Sequence, residues 1–343
     1  MFPCKKRRGL KNERVKKLIE LKNICKTYRI LKRGSSAKET FKSFFSKNYT
    51  EIQALKDVSF KINEGETVGY IGPNGAGKSS SVKIMSGILT PDSGECRVCG
   101  MVPWKERKDY VRNIGVVFGQ RSQLWWDTPV IDSFELLKDI YGISDSVYKK
   151  NLNDLTELLN LQEILKTPVR QLSLGQRMRC EVSAALLHDP KVLFLDEPTI
   201  GLDAVSKIAV RDFIKRINKE KKTTVILTTH DMQDIEAVTN RILFIGKGQI
   251  LLDGTLSDLK KHGTQNKNLT VEYRNGKIDL ENNEGIRLLS DFGGRAVFSV
   301  DSSKHSIPEA VNIISKNLEI VDLSVNSESI ENTVAALYKE YGV

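Results

Sequence analysis

Long hydrophobic runs are missing from this chain. No stretch approaches the roughly 18 consecutive apolar residues that a membrane-spanning helix requires. Cysteine is scarce and odd in number, five in 343 residues, which excludes a disulfide framework. Cys96 and Cys99 make half of a zinc pattern, but no second Cys or His pair follows at suitable spacing, and Val98 between them fits a strand. There is no long heptad run, so an extended coiled coil is not expected. The basic start Met1 to Arg8 leads into no apolar segment, and a secretory signal is not expected there.

Positive charge is concentrated rather than spread. The chain carries +10 overall, yet residues 1–50 hold 16 Lys and Arg against 3 Glu, leaving 37 basic against 40 acidic residues in the remainder. A nucleic-acid grip over the whole surface is therefore excluded, and only the N-terminal segment can act as an electrostatic footprint. Residues 1–18 read as a basic flexible arm with reversible attraction to anionic surfaces. The length and the 40% hydrophobic content support a sizeable core in two or three domains.

The most informative stretch is Gly72-Pro73-Asn74-Gly75-Ala76-Gly77-Lys78-Ser79, a full match to the phosphate-cradling pattern G-x-x-x-x-G-K-[ST]. Thr67–Ile71 before it reads as a buried strand, and the residues from Ser80 to Leu89 read as a helix. Glycines let consecutive N–H groups converge on one anion, and the helix adds its positive end. Lys78 is placed to reach the β- and γ-phosphates, and Ser79 to hold Mg²⁺. Nucleotide binding is the expectation.

Strand patterns recur at Ile19–Ile24, Val58–Ile62, Ile114–Phe118, Val192–Leu195 and Thr224–Thr229. A hairpin is expected at 241–252 about Gly246-Lys247-Gly248. Strands separated by helices predict an α/β fold with a mostly parallel sheet. Residues 31–50 interrupt the pattern with Gly34-Ser35-Ser36 and the Phe-bearing stretch Phe41, Phe44 and Phe45. Helical spacing across 127–187 predicts an inserted helical subdomain, and Pro91-Asp92-Ser93-Gly94 a turn. After Lys260-Lys261-His262-Gly263 the pattern changes. Strands at Leu269–Tyr273, Ala296–Val300 and Leu318–Val325, with helices starting near Pro308 and Ser327, predict a small α+β domain over 259–343, following a main domain over 19–258.

Asp196 and Glu197 end the apolar strand 192–195. On a strand they diverge, so one acid can help hold Mg²⁺ and the other can polarise water. The same chain has Leu172-Ser173-Leu174-Gly175-Gln176 upstream, Gly201-Leu202-Asp203 downstream, and His230 directly after a buried strand. This ordered set resembles the nucleotide-binding subunit of ATP-binding cassette (ABC) transporters, over residues 19–255. The resemblance implies a P-loop NTPase with a mixed sheet core, Mg-dependent ATP hydrolysis, and phosphate contacts from Gly72 through Ser80. It implies that Tyr28 stacks on adenine, that Gln120 links the metal and water to a membrane partner, and that His230 touches the γ-phosphate beside the base Glu197. It further implies that Ser173, Gly175 and Gln176 close on ATP held by a second protomer, with Asp203 at the dimer seam. Leu174 departs from the common glycine of that segment. Trp125 and Trp126, in the stretch where family members meet their permease, are expected to form an aromatic pocket for it.

The expected function is that of an ATP-hydrolysing subunit, in a homodimer or heterodimer, powering a separately encoded integral membrane permease. The C-terminal domain and the Phe41–Phe45 insertion point to an exporter, with the subunit peripheral on the cytoplasmic face of the membrane. The alternatives are a soluble cassette acting on ribosomes or DNA, whose members generally carry two cassettes or a long coiled coil, and a nonhydrolytic ATP sensor. Specific nucleic-acid binding is not expected.

Overall fold

The computed structural model describes residues 17–31, 49–119, 121–261, 266–280 and 283–327, together with 333, 334, 337, 338 and 342. The basic arm before residue 17, the Phe41–Phe45 stretch and Gln120 lie outside the described residues. The chain divides into two units, 1–251 and 252–343, a division ahead of the 258/259 boundary expected from the change of pattern near Lys260.

In the first unit, six strands form one sheet in the order β5-β6-β7-β3-β8-β9. These are β3 (Thr67–Ile71), β5 (Ile114–Phe118), β6 (Val192–Asp196), β7 (Thr224–Thr228), β8 (Arg241–Gly246) and β9 (Gln249–Gly254). β3 runs parallel to both β7 and β8, and β6 parallel to both β5 and β7. Every residue of β3 and of β7 is buried, which is why both are short continuous apolar runs without alternation. β8 and β9 are joined by Lys247 and Gly248, both at positive φ, the geometry of a two-residue hairpin turn.

A second, antiparallel sheet has the order β2-β1-β4, with β1 (Lys17–Leu31), β2 (Tyr49–Asn63) and β4 (Ser93–Val98). It corrects the sequence reading in two places. β1 runs on through Tyr28 rather than ending before it, because Tyr28 pairs with Ile52 of β2. The expected turn at Pro91–Gly94 passes at Ser93 into β4, whose Cys96 and Val98 pair with Leu21 and Ile19. The two cysteines belong to that edge of the sheet, and burial pushes the Cys96 thiol up to about 12.

Between β5 and β6 the chain forms helices at Val130–Tyr141, Asp145–Leu159 and Leu174–Leu186. Their apolar faces, with Phe134, Leu155 and Met178, share a core with Leu193, Leu195 and Leu227 of the sheet.

The second unit contains a four-stranded sheet, β11-β12-β10-β13, from β10 (Asn266–Gly276), β11 (Ile286–Asp291), β12 (Arg295–Asp301) and β13 (Leu318–Ser327). Leu269, Val271 and Phe298 form its core with Ala310 and Ile314 of the helix Ile307–Ser315. That helix starts at Ser306, which completes a capping box with Glu309. β11 was not anticipated, since most of its residues are exposed and its pattern is weak. A helix starting near Ser327 is displaced by β13, which runs through Ser327; helical residues follow at 333–334 and 337–338. Among the described residues, no helix is long and apolar enough to cross a membrane.

Candidate functional site

The order β6-β7-β3 brings the C-terminal ends of three parallel strands side by side, the edge of an α/β sheet where ligands collect. β3 delivers the loop 72–77, β6 delivers Asp196 and Glu197, and β7 delivers Thr228 to His230. Asp196 is directly in register with Thr228.

The loop is shaped by its glycines. Gly75 and Gly77 have φ of 81° and 110°. A Cβ at Gly72 would lie 2.2 Å from the Ile245 carbonyl oxygen, and one at Gly77 would lie 2.6 Å from the Ala54 carbonyl oxygen. The backbone is thus pressed against its neighbours where a side chain would hold it off. The helix Lys78–Met85 begins at Gly77 with no side-chain cap, and the Ser81 amide donates to the Gly77 carbonyl at 2.9 Å. The helical amides ahead of that bond have no carbonyl one turn back within the helix, the arrangement that suits an anion. Lys78 is buried, and its ammonium donates to the carbonyl oxygens of Gly72 at 2.6 Å and Pro73 at 3.1 Å. Burial lowers its pKa, and the carboxylates of Glu197 and Asp196 oppose that shift.

Phosphate loop, Tyr28, Glu197 and His230 line one cavity of about 530 Å³. The Tyr28 hydroxyl is 3.1 Å from Ser80 Oγ, and Ile52 and Ala54 of β2 add apolar wall beside it. His230 Nδ1 is 2.7 Å from Glu197 Oε2, so the imidazole orients the carboxylate. The divergence of the two acids has a different cause from the strand pleat expected. β6 ends at Asp196, and Glu197 takes a left-handed φ of 56°, its amide donating to the Thr228 carbonyl at 3.0 Å. Asp196 accepts from the Thr228 hydroxyl. Thr228 therefore holds both acids, a role not anticipated, although its place at the end of an apolar strand before His230 was visible.

A second cavity of about 320 Å³ shares Ser79, Asp196 and Glu197 with this region and adds Lys83, Gly119 and Arg121. Ser79 and Asp196 present hard oxygen donors to one space, a set that suits Mg²⁺. The Gly119 amide donates to the Asp196 carbonyl at 2.8 Å, and a Cβ at Gly119 would lie 2.3 Å from the Glu197 carbonyl oxygen. The chain entering the Gln120 position is therefore fixed against the acids.

The remaining expected residues lie elsewhere in the unit. Ser173 caps the helix Leu174–Leu186, its hydroxyl accepting from the Gln176 amide at 3.2 Å while Gln176 Oε1 accepts from the Ser173 amide at 2.8 Å. Gly175 is pressed against the start of the next helix, since a Cβ there would lie 2.3 Å from Ser206 Oγ. Leu174, in place of the familiar glycine, covers Gly201. Asp203 is the exposed N-cap of the helix Ala204–Lys221, and the Ser206 amide holds its carboxyl below the usual range. Trp125 and Trp126 are 41% and 52% exposed, available to a partner rather than buried in the core.

A model of the family described as ABC transporter matches residues 55–200. The doxorubicin resistance ATP-binding protein DrrA of Mycobacterium tuberculosis is 31% identical over 302 residues, covering 84% of this chain and 89% of that protein. The linearmycin resistance ATP-binding protein LnrL of Bacillus subtilis is 34% identical over 213 residues, covering 62% of this chain and 68% of that protein. Among solved structures, the dimeric post-hydrolysis form of the ATP-binding cassette MJ0796, bound to ADP and Pi, superposes with a TM-score of 0.59 at 27% identity, covering 70% of this chain and 99% of that one. With the phosphate loop, the paired acids and the histidine gathered at one sheet edge, the chain belongs to the ATP-binding subunits of ABC transporters.

Proposed function

We propose that two copies of this chain sandwich two Mg·ATP, each site formed by the phosphate loop of one copy and the Ser173–Gln176 segment of the other. Supporting this reading is the convergence of Lys78, Glu197 and His230 on one cavity large enough for a nucleotide. Tyr28 stacks on the adenine, and the amides of the loop and of Lys78 to Ser80 cradle the phosphates. Ser79, Asp196 and Gln120 hold Mg²⁺, which neutralises phosphate charge when bound. Glu197, oriented by His230, takes the proton of the attacking water. Hydrolysis leaves two like-charged products where one ligand had bridged the copies, and the sandwich reopens.

The work is delivered to a separately encoded permease, with the subunit peripheral on the cytoplasmic face of the membrane. The relatives named for drug and antibiotic resistance favour an exporter. Trp125 and Trp126, with Asp203 at the copy-to-copy seam, complete the contacts: the tryptophans receive the permease. Glu197→Gln should retain Mg·ATP while turnover falls about 10³-fold. Unaltered steady-state phosphate production by that variant would remove Glu197 from the role of base.

A further inference from the structure

Glu181 is a buried charge that the hydrolysis chemistry does not use. It sits on the helix Leu174–Leu186 at 4% exposure, and no ion pair is found for it among the described residues. A carboxylate removed from water is costly, so its surroundings must compensate it closely; Arg177, one turn back on the same helix, supplies a coulombic share. Among the described residues, the hydrogen bonds to its carboxylate come from one loop. Glu181 accepts from the Ser122 hydroxyl and, at 3.1 Å, from the Gln123 amide, while the Gln123 side chain donates to the Glu181 carbonyl at 2.9 Å. Both partners belong to the loop that leaves Gly119 and Arg121 beside Asp196 and Glu197.

Ser173, Arg177 and Glu181 follow at intervals of four residues and share one stripe of the helix. Arg177 lies over the Trp126 ring, 5.7 Å from its centre, so the loop touches that stripe twice, one turn apart. From Glu181 to the helix start is about 10 Å along the axis. The loop at this copy's own acids and the helix start that faces the partner copy's ATP are thereby joined through one rigid helix.

Building on the nucleotide sandwich proposed above, we infer that Glu181 is a positioning residue: it latches the 122–124 loop to the helix Leu174–Leu186, so that the two nucleotide sites of the dimer respond together. Its chemistry suits that task. An exposed ion pair would be screened and would contribute little, whereas hydrogen bonds to a desolvated carboxylate hold a fixed geometry.

Hydrogen–deuterium exchange on the full-length chain tests the latch, with Mg·ATP as probe and Glu197→Gln in every variant to prevent hydrolysis. Without nucleotide, Glu181→Ala should speed exchange of amides 122–124 about tenfold and leave 174–178 at its original rate. With Mg·ATP, 122–124 and 174–178 should slow together when Glu181 is present, and only 174–178 should slow in Glu181→Ala. Glu181→Gln, which keeps an acceptor for the Gln123 amide, should restore the joint response. Ser122→Ala removes one latch contact together with the hydroxyl's bonds to the Leu124 amide and carbonyl at 3.1 and 3.3 Å, so its readout is the Gln123 amide, which bonds Glu181 directly and should loosen to a smaller degree than in Glu181→Ala. Unchanged exchange of 122–124 in both Glu181→Ala and Ser122→Ala would overturn the latch. Loosening without nucleotide, but no slowing by Mg·ATP in the chain with Glu181 intact, would support the latch and remove the sandwich.

Discussion

Two helices of the cassette begin in opposite ways. The helix at Lys78 starts on a left-handed glycine with no side-chain cap, whereas the helix at Leu174 starts on Ser173 inside a complete capping box with Gln176. In the proposed sandwich the first start is bare because its orphan amides meet the phosphate, and any side-chain cap would occupy that place. The second is closed by its own residues, since Ser173 and Gln176 each satisfy a terminal backbone amide of the other; in the proposed sandwich it is formed before a partner arrives. One end waits for its ligand, and the other is preformed and presented. A chain that binds nucleotide at the first and completes a neighbour's site at the second needs this asymmetry.

The asymmetry can be broken from either side. The largest effect is expected at the bare end. Gly77→Ala places a Cβ 2.6 Å from the Ala54 carbonyl oxygen at a backbone angle that L-residues avoid. ATP affinity, measured by equilibrium binding, should fall at least about 100-fold, a loss of the order set by a misplaced backbone cradle. At the closed end, Ser173→Ala should leave ATP binding by the isolated chain in place, cost about 1 kcal/mol of stability, and lower turnover about tenfold; chemical denaturation and phosphate release read the two separately. A drop in ATP affinity equal to that of Gly77→Ala would show that the two ends are not distinct in role.

The smallest effect concerns Glu181, and its sign is the informative part. Burial raises the Glu181 pKa, opposed chiefly by its hydrogen bonds to Ser122 and Gln123. A carboxyl whose folded pKa lies above its unfolded value binds more protons in the folded chain, so stability declines as pH rises through the folded value. At neutral pH the charge is therefore carried at a cost that Glu181→Gln relieves. The melting midpoint of that variant should exceed wild type by about 2 °C at pH 7, and the gap should close as pH falls below the ordinary carboxylate range. A lower midpoint for Glu181→Gln at pH 7 would mean that the ionised group stabilises the fold.

The phosphate loop and the 172–176 motif are both legible in the sequence, whereas the tertiary contacts around them are not. Gly72, Gly75 and Gly77 are fixed by backbone angle or close approach, and Lys78 by the ammonium it places inside the loop, so the spacing alone exposes them. The buried strands β3, β5, β6 and β7 were equally plain, since a strand covered on both faces must be a continuous apolar run. By contrast β4 and β11 carry polar, half-exposed patterns like those of loops, and Tyr28 sits inside β1 because a distant partner, Ile52, extends the strand. Glu181 has no local signature: a glutamate on a helix looks exposed until the 122–124 loop folds over it. Glu197 was read as continuing the strand, whereas its left-handed turn and the hold from Thr228 arise only from tertiary contact. Position along the chain revealed the chemistry, and neighbours remote in sequence set its geometry.

In the proposed sandwich each nucleotide site is completed by a second copy. Sedimentation velocity of the full-length Glu197→Gln chain, with and without Mg·ATP, tests it most directly. A monomer that becomes a dimer when Mg·ATP is added, and reverts when Mg·ADP replaces it, is the expected result. A chain that binds Mg·ATP and continues to sediment as a monomer at every concentration tried would contradict it.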